Sequence, residues 1–320
     1  MYESLHNHTT TSDGKLSHLE MLDAAEVCGI GVMAFTDHDA LPDEATLRAL
    51  HAYAGPVAWA VGIEMSSGYP KDMGVSGSMH IVGLFVDVAH VGLREHCCLA
   101  QEARRERMGR IITNLATVGI EVTEEACLRA SGGESVGRPH IVAAILEGER
   151  NKARLMALRD DMAKDGSASE AYQAMEERAV VRGIQEYVYG LLLGNDAYFP
   201  GVYVDYLYML DLDETVALLR AAGGVGILAH QWCYESKLPL ETVHRLLEEG
   251  RLDGIETLGG AASESLAAYP ALSRVAAETR CLVSMGADAH DAETLERYVA
   301  LPCIEATMGV YGTLQECVAS

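Results

Sequence analysis

No stretch of this sequence holds the ~20 consecutive apolar residues that a membrane-spanning helix needs, so no transmembrane helix is expected. The first residues, MYESLHNHTTTSDGK, lack the basic and apolar regions of a secretory signal, and a cytoplasmic location is the expectation. CxxC spacing is missing too. The cysteines, Cys28, Cys97, Cys98, Cys127, Cys233, Cys281, Cys303 and Cys317, therefore read as reduced core thiols rather than a disulfide framework. Positive charge is scarce: 24 Lys and Arg against 47 Asp and Glu leave a formal charge of −23. Such a surface repels polyanions, so neither a nucleic-acid polymer nor an anionic membrane is expected as a partner. An enzyme that handles small anions would then need local positive charge, which metal ions can supply. Internal repeats and low-complexity linkers are absent as well.

What is present suffices for a large core: 320 residues, 49% of them hydrophobic, fit one big domain or a domain with a sizeable insertion. Apolar runs at 2–6, 31–36, 57–64 and 79–86 read as strands, separated by helices over 19–27, with Ser17 as N-cap, and 42–52. From about residue 92 to 212 the chain turns helical, rich in Glu, Arg, Ala and Leu. Alternation then returns, with helices over 213–222, 240–249 and 264–279 and strands over 225–229, 254–257 and 281–285. This pattern argues for a parallel α/β sheet or barrel interrupted by a helical insertion packed as a lid.

The chemistry-bearing residues fall at expected strand C-terminal ends, where barrel loops converge. His6 and His8 close the first strand, Asp37 and His38 the second and Glu64 the third; His80 lies in the fourth, and His230, Glu256, Asp288 and His290 follow later strands. The period-2 spacing of His6-Asn7-His8 puts both imidazoles on one side of an extended segment. Two histidines with a later carboxylate form an ordinary divalent-metal shell. HxH alone is a common accident; HNH, SDG, TDHD, the Glu64 strand end, MHIVG, AHQ and ADAH in that order are not.

These motifs resemble the PHP (polymerase and histidinol phosphatase) metal-dependent phosphoesterases over roughly residues 1–92 and 213–295. The resemblance implies a distorted (β/α)7-type barrel, residues 1–92 and 213–320, with residues 93–212 inserted as a mostly helical cap. Through Gly137-Arg138-Pro139-His140 the insertion is similar to the cap of a subgroup that includes nucleoside 3′,5′-bisphosphate phosphatases and small cyclic phosphate phosphodiesterases. On this resemblance up to three divalent ions (Mn, Fe or Zn) are expected. His6, His8, Glu64 and Asp288 would hold one, Glu64, His80 and His230 a second, and Asp13, His38 and His290 a third. Asp37 and His230 would also serve the reaction, Asp37 by fixing a ligand imidazole. Arg138 and His140 would bind substrate, although a helix-start reading, with His140 buried and Arg138 a surface charge, stays open. The expected substrate is a small phosphorylated metabolite or nucleotide, cyclic diesters included, attacked by a hydroxide bridging two ions. Many relatives carry Pro after the His230 equivalent, where this chain has Gln231-Trp232.

Three divalent ions bring about six positive charges, and Asp13, Glu64, Asp288 and a hydroxide return about four. The remaining roughly plus two suits a phosphate dianion. A metal-dependent C–N hydrolase needs no such excess and is one alternative. An inactive binding module is another, and the complete donor set argues against it. His18, His51, His90, His96 and His244 read as bystanders, and Tyr203, Tyr206 and Tyr208 as packing.

Overall fold

Where the apolar patterning changes period, the chain changes element. The computed structural model describes residues 1–131, 135–260 and 263–319. It begins β1 (Tyr2–Ser4), α1 (His18–Val27), β2 (Ile30–Phe35), α2 (Glu44–Ala52), β3 (Ala58–Val61), β4 (Ile63–Gly68) and β5 (Ser78–Leu84). Helices follow: α3 (Val91–Thr117), α4 (Glu124–Ser131), α5 (Arg138–Glu147), α6 (Glu149–Lys164), α7 (Ser169–Arg182) and α8 (Gln185–Val188). Alternation resumes with β6 (Leu210–Asp211), α9 (Leu212–Ala221), β7 (Val225–Leu228), α10 (Leu240–Glu248) and β8 (Gly254–Gly259). The chain closes with α11 (Ser263–Thr279), β9 (Leu282–Gly286), α12 (Ala292–Val299) and α13 (Val310–Ala319).

Local chemistry explains several boundaries. Ser17 and Glu20 form a reciprocal capping box at α1, and Asp211 and Glu214 form one at α9. Asp43 and Asp291 cap α2 and α12 through the backbone N–H three residues on.

The fold is mixed α/β. β1, β2 and β3 form one parallel sheet; the second has the order β6-β4-β5-β7-β8-β9. Two features depart from the sequence expectation. Residues 57–64 are not one strand, because the chain leaves the first sheet after β3 and enters the second as β4. The second sheet is also not all parallel: β5 runs antiparallel to both β4 and β7. Its connection from β4 has no helix longer than the single turn Lys71–Met73, too little for a parallel crossover. Parallel bridges at Asn7↔Ala289 and His38↔Glu64 tie the two sheets together.

The chain divides into two compact units, Met1–Ala100 with Met209–Ser320, and Gln101–Tyr208. The first division falls inside α3, eight residues past the change in composition at 92. In the first unit, Ile63, Met65, Ile81 and Leu228 pack beneath α9 and α10, and Met33, Phe35 and Met285 pack with Met21 and Leu22 of α1. The second unit has its own core, centred on Ile111, Leu115, Ile145, Leu155 and Leu191.

No helix among the described residues is long and apolar enough to cross a membrane. The thiol expectation needs correction: Cys97 and Cys127 are buried, Cys28, Cys281 and Cys303 half-buried, and Cys98 and Cys233 exposed. The side chain of Cys317 lies outside the described residues.

The α9 cap gives a direct stability test. Asp211 accepts from Glu214 N at 2.9 Å and also pairs with Lys71 Nζ at 2.7 Å. Asp211→Ala is expected to cost about 1 kcal/mol of unfolding free energy, read as a lower urea midpoint with an unchanged slope. An unchanged midpoint would show that the cap adds nothing.

Candidate metal centre

Six imidazoles and three carboxylates converge in the first unit, and the backbone explains how. The segment after β1 is pinned to the segment after β9: Asp288 N donates to His6 O at 2.9 Å and His8 N to Ala289 O at 2.8 Å. Asn7, between the two histidines, points the other way. Its Nδ2 donates to Ser4 O at 2.8 Å and Ala34 O at 2.9 Å, and its Oδ1 accepts from Ser4 Oγ at 2.8 Å. Asn7 thus holds the turn while His6 and His8 face the site. Gly286 is required beside them, because a Cβ there would collide with the backbone and Cβ of His6.

Asp39, His230 and Asp288 adopt positive φ values of 46°, 29° and 49°. Backbone strain of this kind costs about 1–3 kcal/mol per residue and concentrates at functional sites.

Glu64, in β4 and fully buried, is the hub. Its Oε1 lies 3.0 Å from His80 Nδ1, 3.0 Å from His230 Nε2 and 3.2 Å from His6 Nε2. Its Oε2 lies 2.8 Å from His38 Nδ1 and 3.3 Å from His8 Nε2. Asp288 Oδ1 is 3.1 Å from His8 Nε2, and Asp13 Oδ1 is 3.2 Å from His290 Nε2. Three groups have donor atoms close enough to share an ion: His6, His8 and Glu64; His38, Glu64 and His80; and His8, Asp13, His38 and His290. His8 and His38 each fall in two groups, whereas the sequence reading gave each to one ion.

The donor set fits divalent cations. Buried His38 Nδ1, His80 Nδ1 and Glu64 Oε2 crowd to within ion-pair distance yet make no well-aligned hydrogen bond, an arrangement suited to atoms that share a cation. Ring tautomers are arranged to match. Glu256 Oε2 accepts from His6 Nδ1 at 2.8 Å, leaving the His6 Nε2 lone pair free. The Asp288 carbonyl accepts from His290 Nδ1 at 3.0 Å and frees His290 Nε2 in the same way.

Asp37 does not take the place expected for it. It adjoins His38 on an extended segment, so the two side chains diverge. Its carboxylate instead accepts from Thr9 N at 2.7 Å, Thr9 Oγ1 at 2.8 Å and Ser12 Oγ at 2.6 Å, closing the 9–12 loop. It reaches a ligand only indirectly, through Ser12 Oγ, 3.5 Å from His8 Nδ1. Glu256 rather than Asp37 bonds directly to a ring of the cluster, at His6 Nδ1, and its place near the end of a strand was the only sequence signal. Of the bystander histidines, buried His18 lies 3.8 Å from Asp37 Oδ2 and buried His96 3.5 Å from Asp39 Oδ1.

In the second unit, Gly137 caps α5, and Gly137 N donates to His140 Nδ1 at 2.9 Å. His140 is buried, and its Nδ1 serves the helix start. Arg138 Nη1 donates to Leu193 O at 3.5 Å, with the guanidinium 5.6 Å from the Tyr203 ring centroid. Tyr203 and Tyr206 pack against Arg107, as a packing role requires.

Burial would raise the Glu64 carboxyl, but His80, His38 and His6 and a hydrogen bond from His230 outweigh it and hold the group well below the usual range. Asp13 and Asp288 are lowered against the same burial by the imidazoles around them. Burial would lower His8, yet Asp288 and Glu64 push it up to about 10. Against the same burial, Glu64, Glu256 and Asp288 raise His6, and a hydrogen bond with Cys233 followed by Glu64 raises His230, whereas burial dominates at His80 and lowers it.

No protein-family profile matches the chain. The chain is 33% identical over 146 residues to the 5′-3′ exoribonuclease Rnm of Salmonella typhimurium, a match covering 45% of this chain and 47% of that relative. It thus spans about half the length of that exoribonuclease. It is 27% identical over 176 residues to the 3′,5′-nucleoside bisphosphate phosphatase of Chromobacterium violaceum, covering 54% of this chain and 60% of that one. Against the phosphoribosyl 1,2-cyclic phosphate 1,2-diphosphodiesterase of Eggerthella lenta it is 26% identical over 291 residues, covering 91% and 94%. A solved structure from Bifidobacterium adolescentis, assigned as a metal-dependent phosphoesterase, shares the fold at TM-score 0.64 and 22% identity, covering 90% of this chain and 87% of that one. At that level of identity the likeness is one of fold. Two of these relatives, the bisphosphate phosphatase and the cyclic phosphate diphosphodiesterase, bear the activities named for the subgroup that the helical insertion resembles.

The titration shifts carry a signed prediction for the metal-free protein. Raised histidines stabilise the fold fully below their unfolded value of about 6.5, and that stability is lost as pH climbs through the folded value. Lowered carboxylates lose theirs as pH falls below about 4; His80 and His18, both lowered by burial, oppose the histidine trend. With chelator present, Tm should fall by several degrees as pH rises from about 6.5 towards the His8 value of about 10. Mn²⁺ should flatten that fall, because bound ions hold the imidazoles deprotonated throughout. A chelated protein with a flat or rising Tm in that range would contradict the coupling.

Proposed function

We propose that this chain is a metal-dependent phosphoesterase that hydrolyses small phosphate esters of nucleosides or sugars, cyclic diesters included. The observation that carries the reading is the convergence of three overlapping donor groups on buried Glu64. On this reading the two sheets make up a distorted (β/α)7-type barrel, and the second unit is its helical cap. Up to three divalent ions (Mn, Fe or Zn) are held by His6, His8, Glu64 and Asp288, by Glu64, His80 and His230, and by Asp13, His38 and His290. Bound there, such ions supply an activated water and positive charge for phosphoryl oxygens.

The protein's own residues do the rest. Glu64 joins two ion sites with one carboxylate. Glu256 and the Asp288 carbonyl fix the rings of His6 and His290 in ligand tautomers. Asp37 holds the 9–12 loop that carries Ser12 towards His8. Arg138 contributes a substrate contact, and His140, buried with its Nδ1 bound to Gly137 N, acts by holding the helix start that carries Arg138.

The acidic composition does not remove RNA ends from the substrate list. Rnm of Salmonella typhimurium is named a 5′-3′ exoribonuclease, so a terminal phosphate on a polymer is a second reading. A Mn-loaded enzyme should be tried on nucleoside 3′,5′-bisphosphates, sugar cyclic phosphates, 5′-phosphorylated oligoribonucleotides and a lactam. Phosphate release from the small esters, abolished by chelation, is expected. Lactam turnover without ester turnover would replace the proposal with C–N hydrolysis. Glu64→Gln should lose metal and activity together by more than about a hundredfold, since even outer partners of metal ligands contribute about ten- to a hundredfold.

Arg138→Ala should leave metal content unchanged and lower kcat/KM by roughly ten- to a hundredfold, the loss of one charge-assisted contact. Arg138→Lys should recover only part of that, because a point charge lacks the planar fork. Wild-type kcat/KM with a lowered Tm in the Ala variant would make Arg138 a packing residue.

A further inference from the structure

The donor side chains do not fill the opening above them. A cavity of ≈ 300 Å³ adjoins them, and its remaining wall is Trp232, Cys233, Gly259 and Gly260. Trp232 belongs to the Gln231-Trp232 pair that follows His230. It lies on the short turn Gln231–Cys233, directly after His230 bends the chain at φ 29°. The turn is anchored, since buried Gln231 donates from Nε2 to Leu238 O at 2.8 Å. The indole is backed as well. It packs on the apolar core and rests on the end of β8, where a Cβ on Gly259 would come within 2.8 Å of Trp232 Cη2. Its ring centroid is 6.3 Å from that of His230, at an interplanar angle of 69°.

An anchored indole bordering a cluster of phosphate-seeking groups has no part in holding metal or phosphate. Its chemistry is stacking, which every nucleobase accepts on its π-face. A chain with a formal charge of −23 gains most from contacts that need no surface cations. We propose that Trp232, seated on Gly259, is the platform for the organic part of the substrate and selects esters bearing a flat ring, a nucleobase above all, over esters of aliphatic polyols. The selection rests on the phosphoesterase reading; the stacking site itself does not.

Kinetics test the selection. In the metal-loaded enzyme, Trp232→Leu should lower the ratio of kcat/KM for a nucleoside monophosphate to that for glycerol phosphate by about ten- to a hundredfold, mainly through KM. Trp232→Phe, which keeps a ring, should hold most of that ratio. A parallel fall for both substrates, or equal ratios in Leu and Phe variants, would overturn it. Emission tests the platform without turnover. The chain has only two tryptophans, Trp59 and Trp232, so Trp59→Phe leaves Trp232 as sole reporter. Adenosine monophosphate should quench it in the metal-loaded protein and ribose 5-phosphate should not. Equal quenching, or none, would sink the proposal even in a working phosphatase, whereas selective quenching without ester turnover would uphold the platform and reject the phosphoesterase reading.

Discussion

Glu64 is a carboxylate removed from water and surrounded by five imidazoles, and much of the site's architecture can be traced to what that requires. A buried charge without partners costs several kcal/mol. Here the partners come from the segments after β1, β2 and β7 and from β5, so the residue acts as a constraint on four segments. If every one of those imidazoles were protonated they would repel one another. Divalent ions between them and the three carboxylates relieve both problems, and for that reason the donor set reads as a metal centre rather than a buried ion-pair network.

The second requirement is geometric. His6 and His8 come from the start of the chain, Asp288 and His290 from near its end, and the parallel bridge at Asn7 and Ala289 makes them neighbours. Asn7 and Gly286 pay for that closeness: one satisfies three backbone and hydroxyl groups inside the seam, the other omits a side chain that His6 would strike. The strained backbone at His230 and Asp288 belongs to the same economy of space. Together these residues keep the donors within reach of one another without help from the acidic surface.

That acidity is the feature most open to misreading. Globally it repels polyanions; locally the site is arranged to collect positive charge. The relatives span both situations, from a bisphosphate phosphatase to 5′-3′ exoribonucleases. An end-acting enzyme need accommodate only one terminal phosphate, so net charge bears on long-range association more than on the chemistry such a site can perform.

Strand and helix identity was legible because it rests on local periodicity and caps: Ser17 with Glu20, and the run from Val225 to Leu228, form as their patterning requires. The candidate donors were legible because histidines and carboxylates at strand ends are distinctive in type and order. Three things were not. The antiparallel course of β5 and the break between β3 and β4 depend on which neighbour a strand finds, and apolar alternation is the same for either. The exchange of roles between Asp37 and Glu256 depends on which side of the strand faces the cluster, and on a partner 250 residues from His6. The sharing of His8 and His38 between donor groups depends on donor atoms lying within 4.8 Å of one another, which no spacing along the chain encodes. Sequence by itself determined which chemistry is available, because residue type sets what can bind a cation. Only the tertiary structure decided which atoms meet, because that follows from packing between segments far apart in the chain.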